Sequence, residues 1–255
     1  MNQKEKAQSF ASLHVKGRPL ILYNVWDAGG AKAVAGAGAK AIASSSWSVA
    51  AAHGYRDGEA IPLDLVAMIV ARIVATTDLP VSVDFEGGYA TAPEDVASNV
   101  ERVLQLGAVG INFEDRRVNQ SGLFSVAEQS ERIRAIRQRA DEVGIRLFIN
   151  ARTDLFLQAE EAAQHRELLP AAKTRAAAYH DAGASGFFVP GLVDEELITE
   201  LCAASPLPVN VMMMDGVPPV ARLAELGVSR ISFGPLPFLQ LEETLREQAR
   251  VASHG

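Results

Sequence analysis

Residues 80–89 read Pro-Val-Ser-Val-Asp-Phe-Glu-Gly-Gly-Tyr. Val81, Val83 and Phe85 alternate with Ser82, Asp84 and Glu86, so an extended strand sends its apolar side chains one way and two carboxylates the other. Ionisable residues that end an apolar strand point to a functional site rather than a solvated face. Other apolar runs end in the same manner: Asn24 and Asp27, Ser44 to Ser46, Asn112, Glu114 and Asp115, then Asn150, Arg152 and Asp154, and finally Asn210. In the run 146–154, Phe148, Asn150, Arg152 and Asp154 share one parity while Leu147, Ile149 and Ala151 take the other, which aims a polar face at one place. Asp84, Glu86 and Glu114 supply hard oxygens of the kind Mg²⁺ or Mn²⁺ takes, and magnesium needs only one or two carboxylates because it keeps several waters. The alternative is a set of interior ion pairs, with Arg152 bound to Asp154 or Glu114. One arginine cannot neutralise every acid there, so the set reads as a place where an anion is held beside a cation.

Other chemistry-bearing residues have less company. His53 lies near Tyr55, Arg56 and Asp57 and could move a proton. His14, His165, His180 and His254 have no acid or cysteine partner at metal-ligand spacing. Cys202 is the only cysteine; it excludes an internal disulfide and a cysteine-built metal centre, and its apolar helical setting reads as packing. Met212 to Met214 read as core or pocket wall. No Gly-x-Ser-x-Gly elbow and no phosphate loop occurs, which argues against serine hydrolysis and simple nucleotide use.

The elements that must position these residues alternate regularly. Strands are expected at 19–25, 39–43, 80–86, 110–115, 146–154, 186–191, 208–214 and 229–234. Helices are expected at 28–37, 63–76, 93–106, 126–143, 170–182, 194–204, 217–226 and 237–252. Near-continuous apolar strands, each followed by a helix, predict a parallel sheet buried on both faces. Eight such units in 255 residues predict an α/β fold, one (β/α)₈ barrel spanning 1–255, with the strand-end residues gathered at its C-terminal mouth. An open doubly wound sheet fits less well, because Gly36-Ala37-Gly38 follows a helix and precedes a strand, the wrong order for a dinucleotide fingerprint. Long loops at 48–62 and 116–125 are lid candidates. The net charge of −7 offers no basic excess for nucleic acid or an anionic membrane surface. With no apolar leader and no run long enough to span a bilayer, a cytoplasmic protein acting on small molecules is expected.

Taken together, Asn24-Val-Trp-Asp27, Ala43-Ser-Ser-Ser46, Gly54-Tyr-Arg-Asp57, Asp84-Phe-Glu-Gly-Gly-Tyr89, Glu114-Asp-Arg116 and Ala151-Arg-Thr-Asp154 resemble the isocitrate lyase and phosphoenolpyruvate mutase superfamily over roughly residues 18–240. The resemblance implies a Mg²⁺-dependent barrel that makes or breaks a C–C or P–C bond of a 2-oxo or 2-hydroxy carboxylate through an enolate. It implies Asp84 as the direct metal ligand, with Glu86, Glu114 and Asp57 holding metal-bound waters and Arg152 gripping the substrate carboxylate and enolate oxygen. Catalytic work is thus expected of Asp57, Glu114 and Arg152, metal binding of Asp84, Glu86 and Glu114, and substrate contact of Ser45, Ser46, Trp47, Arg152 and Asn210. It also implies a homo-oligomer, a tetramer or dimer, in which the last helix packs on a neighbouring subunit. The chain departs from the lyases in its lid, Arg116-Arg-Val-Asn-Gln-Ser-Gly122, which lacks their catalytic cysteine. Phosphonopyruvate-type members carry a lysine and an Asn-Ser pair on this lid, which Asn119 and Ser121 echo only loosely. Glu86 stands for an aspartate and Ser46 for a glycine, and Trp47 narrows the pocket. The expected activity is a C–C lyase acting on a small 2-oxo or 2-hydroxy acid. The alternatives are a phosphonopyruvate-type mutase or hydrolase and a non-catalytic 2-oxo acid binding protein.

Overall fold

The computed structural model describes residues 1–118 and 120–254. Eight parallel strands run β1 (Leu20–Leu22), β2 (Ile42–Ala43), β3 (Val81–Asp84), β4 (Gly110–Glu114), β5 (Phe148–Arg152), β6 (Gly186–Phe188), β7 (Val209–Met212) and β8 (Arg230–Ser232). Each pairs with its sequence neighbour from β2 through β8, and β8 pairs with β1. The remaining seam, between β1 and β2, is held by the single bridge Val25–Ser44. Asn24 fastens that seam: its Nδ2 donates to Ser44 O at 2.7 Å, and its Oδ1 accepts the Phe233 and Gly234 amides at 2.9 Å each. The result is the nearly closed (β/α)₈ barrel expected from the alternation. Outward strand residues such as Ile111, Ile149 and Val211, all 0% exposed, pack beneath the helices and account for the near-continuous apolar runs.

Helices α1 (Gln3–Ser12), α2 (Ala28–Gly36), α3 (Ser46–Ala52), α4 (Leu63–Thr76), α5 (Pro93–Gln105), α6 (Val126–Val143), α7 (His165–Asp181), α8 (Glu195–Ala204), α9 (Val220–Glu225) and α10 (Leu236–His254) surround it. Three differ from expectation. The polar start of the chain is a helix, nucleated by a capping box between Asn2 and Glu5, and it drives Phe10 against Phe148 at the strand beginnings. The start of the presumed loop 48–62 is helix α3, capped by the Ser45 side chain, which accepts from the Ser48 amide. Helix α7 begins five residues before Pro170. Burial of His165 against Phe156, with its Nε2 3.1 Å from Phe156 O, stabilises a first turn that the proline would otherwise open. No helix of the described residues is long and apolar enough to cross a membrane.

Inward residues of the strands make a polar layer rather than an aliphatic one. Asn150 Nδ2 donates to Asn112 Oδ1 and to Asn210 Oδ1, both at 2.9 Å, and Arg230 Nη2 donates to Asn112 Oδ1 at 3.0 Å. Gly186 makes room for this layer, since a Cβ there would lie 2.7 Å from Asn150 Oδ1. The mouth is built on that floor.

Candidate active site

Asp84 ends β3 and is held by three donors. Its Oδ2 accepts from the Ser46 amide at 2.9 Å and the Ser46 hydroxyl at 2.8 Å, and its Oδ1 from Asn112 Nδ2 at 3.2 Å. Arg152 ends β5 and is also fixed. Its Nε and Nη2 donate to Asp154 at 2.6 and 3.0 Å, and its Nη1 lies 3.0 Å from Glu114 Oε2. Burial alone would weaken this guanidinium, but Glu114 and Asp154 prevail and hold its pKa well above the ordinary value. Of five N–H donors three are engaged, and the other two remain for the pocket.

That pocket, about 150 Å³, opens at the barrel mouth. It is lined by the polar Ser45, Ser46, Asp57, Asp84, Asn112 and Arg152 and by the apolar Trp47, Phe188, Met212 and Pro235, with the Arg152 guanidinium 5.9 Å from the centre of the Phe188 ring. Two residues expected here sit elsewhere. Glu114 is 2% exposed and stands behind Arg152, braced also by Arg116 Nε at 3.2 Å. Asn210 is fully buried in the layer below, its Nδ2 donating to Val211 O and Ser232 Oγ. Asp115, one residue past β4, faces away from the mouth and takes Arg175 at 3.0 Å and the Tyr179 hydroxyl at 2.9 Å, tying the strand to α7. Asp27 caps α2 through the Gly30 amide, and His53 Nδ1 is engaged by Val49 O at 2.8 Å. Asn119 lies outside the described residues.

Glu86 occupies a turn of its own. It is 3% exposed, its Oε1 has no partner among the described residues, and its other oxygen accepts the Glu59 amide. Burial, then the charges of Asp57, Glu114 and Asp84, push its pKa up to about 9. Burial and the charge of Asp84 likewise raise Asp57, against the pull of Arg116 and Arg152. Glu59, Glu86 and Tyr89 are the non-glycine residues of the described chain in the left-handed region, at φ 56°, 49° and 58°. They interlock, for the Tyr89 amide donates to Glu59 Oε1 at 2.7 Å. Each such residue costs about 1–3 kcal/mol, and such strain gathers at functional sites.

Among the described residues, no three acid, histidine or cysteine side chains stand close enough to hold a metal unaided. The donor chemistry nonetheless fits a hard cation that keeps its waters. It offers one well-oriented carboxylate, Asp84, beside Asp57 and beside a buried Glu86 oxygen without a partner among the described residues.

Sequence reasoning missed Arg230, Glu59 and the bracing by Arg116. Arg230 left a trace, since it shares inward parity with Ser232 in an apolar strand. Glu59 left none, since its role depends on the fold of a loop.

Residues 10–252 match the profile of the family described as phosphoenolpyruvate phosphomutase. The chain belongs to this family. A solved structure from Burkholderia cenocepacia J2315, provisionally named a phosphonomutase, is 50% identical, with a TM-score of 0.96 covering 98% of this chain and all of that one. An uncharacterised Mycobacterium tuberculosis protein is 36% identical over 97% of this chain and 90% of its own. The 2-methylisocitrate lyase of Escherichia coli is 27% identical across the whole chain and 84% of its own. The family thus sits in the phosphoenolpyruvate mutase and isocitrate lyase superfamily, a group of enzymes that includes lyases, mutases and hydrolases.

Proposed function

We propose that this member is a Mg²⁺-dependent lyase that cleaves a C–C bond of a small 2-oxo or 2-hydroxy carboxylic acid through an enolate. The observation that carries the reading is Arg152, locked by two carboxylates with two N–H donors to spare, in a small pocket that Asp84 and Asp57 also line. Cleavage beside a carbonyl leaves negative charge on oxygen, and donors fixed in advance where that charge develops lower the barrier most. Arg152 binds the substrate carboxylate and the developing enolate oxygen. Glu114 and Asp154 orient it. Asp57, whose carboxyl pKa burial and Asp84 raise above the ordinary value, is the group placed to hold or release the proton. Asp84, with Asp57 and Glu86 beside it, would hold the cation through oxygen and water, and a bound Mg²⁺ would supply Lewis-acid stabilisation of the oxyanion. Glu114, engaged by Arg152 and Arg116, serves the guanidinium instead. Trp47, Phe188 and Met212 supply the apolar lining that limits water. Arg152 is the one cation among the described pocket-lining residues, which favours an acid with one or two carboxylates over a tricarboxylate. Cys202, buried in α8 with its thiol pushed up to about 12 by burial, cannot replace a lid cysteine.

Helix α10 leaves Leu241, Leu245 and Val251 more than half exposed, an apolar face of the kind subunits cover. A homo-oligomer fits it.

The test is purified protein with Mg²⁺ and a panel of 2-oxo and 2-hydroxy acids. Metal-dependent release of a smaller oxo acid, lost in Asp57→Ala and Arg152→Ala, is expected. Phosphate or phosphoenolpyruvate from phosphonopyruvate would instead establish P–C chemistry, which the family's name favours. Tight metal-dependent binding without consumption would make it a binding protein.

A further inference from the structure

Arg230 is 1% exposed at the start of β8, inside the barrel. Its Nε and Nη1 have no partner among the described residues, and its Nη2 donates to Asn112 Oδ1. A buried cation without a paired carboxylate is costly, and an apolar residue of similar volume in such a place is often neutral or stabilising. Stability alone therefore gives poor reason for an arginine here, and the bond it makes supplies a better one.

An arginine can only donate, so the Asn112 atom facing it must be the oxygen. Asn150 Nδ2 meets the same oxygen at 2.9 Å, so the two donors hold it jointly and loss of Arg230 loosens it. The Asn112 amide nitrogen is then obliged to face Asp84, where it donates to Oδ1 at 3.2 Å. Because Ser46 already holds Oδ2 through two donors, the plane of the Asp84 carboxylate is fixed from both sides. The geometry points to Arg230 as a positioning residue that acts through Asn112 to orient the Asp84 carboxylate at the floor of the pocket. It touches neither substrate nor cation. The part of this inference that concerns cation binding rests on the reading of Asp84 given above.

Two readouts test it, neither of them turnover. The first is Mn²⁺ affinity of the folded protein, by calorimetry, in wild type, Arg230→Met, Arg230→Lys, Asn112→Leu and the double variant Arg230→Met/Asn112→Leu. Loss of an outer partner of a ligand typically costs about 10–100-fold in metal affinity. Arg230→Met is expected to lose at least about tenfold on that scale, and Arg230→Lys, still a donor, to recover much of it. Adding Arg230→Met to Asn112→Leu should change nothing further. The second is a crystal structure of Arg230→Met or, where that variant does not fold, of Arg230→Gln, whose amide can present either atom to Asn112. The contact between Asn112 Nδ2 and Asp84 Oδ1 should be lost or its amide turned. If the variants fold, keep that contact and bind Mn²⁺ as wild type does, Arg230 is structural only and the inference falls. An equal affinity loss with and without Asn112 would also overturn it. Should wild type bind no Mn²⁺, the metal reading fails, and the crystal structure still decides the role of Arg230.

Discussion

Glu114 ends β4 and Glu86 lies in the turn two residues past the end of β3, the two joined by a backbone bond of 2.9 Å from the Glu114 amide to Glu86 O. Both are buried acids, yet their company is opposite. Glu114 stands between Arg152 and Arg116 at 3.0 and 3.2 Å. Glu86 has one backbone donor, an oxygen with no partner among the described residues, and three acids whose charges raise its pKa. The β4–β5 side of the mouth is therefore balanced within the protein, whereas the β3 turn gathers acids without a guanidinium bound to Glu86, which keeps its proton up to about pH 9. Acids gathered at the side where Asp84 points mark where an external cation would be most stabilised. The balanced side marks where a substrate anion meets a guanidinium already held in place.

This contrast predicts opposite responses to neutral substitution. Arg152→Met removes the main cation from Glu114 and the guanidinium that pairs Asp154, leaving Glu114 only the Arg116 contact; removing one partner of a buried pair costs about 3–5 kcal/mol in comparable sites. Urea unfolding of the metal-free protein at neutral pH should show a loss of that order. A loss below about 1 kcal/mol, the range of exposed pairs, would mean that solvent and not Arg152 satisfies Glu114.

Glu86→Gln should act in the other direction. The raised pKa means that the folded protein holds a proton between the ordinary carboxylate value of 4.5 and about 9, while the unfolded chain has released it. Stability of the metal-free protein must then fall as pH rises through that interval, because the folded state binds the extra proton. Glutamine removes that dependence. At pH 8 the variant should be more stable than wild type by on the order of 1 kcal/mol or more, and the two should converge near pH 4. Stability curves that run parallel across the interval would show that the folded protein does not hold the Glu86 proton any longer than the unfolded chain does.

How legible this site was from the sequence follows from the same physics. Asp84, Asp57 and Arg152 were readable because each follows an apolar run or lies in a matching motif, and all three line the pocket. The barrel was readable because strand burial on both faces leaves apolar runs at helix-length intervals. Asn210 carried the same strand parity, but parity gives the face and not the depth. Only the register, which pairs Asn210 with Arg230, places it in the layer below the mouth. The inward parity of Arg230 was visible, yet a lone arginine near a strand start is also what an exposed barrel rim shows. Helix α3 was hidden because its cap, Ser45, sits among three serines that read equally well as a ligand loop.

Arg116→Ala gives the smallest expected effect and the finest cut through the comparison. Its guanidinium touches Glu114 at 3.2 Å and approaches Asp57 at 4.0 Å, but its side chain is 34% exposed, twice the 17% of Arg152. Water can replace most of what a half-exposed cation supplies, so the substitution should cost below about 1 kcal/mol by urea unfolding. The same substitution removes one of the two cations that pull the Asp57 pKa down, so the carboxyl should hold its proton to higher pH. If Asp57 moves the proton in turnover, the acid or base limb of the pH–rate profile must shift upward while stability barely changes. A stability loss as large as that of Arg152→Met, with an unmoved pH profile, would make the two arginines equivalent braces of Glu114 and separate Asp57 from the chemistry.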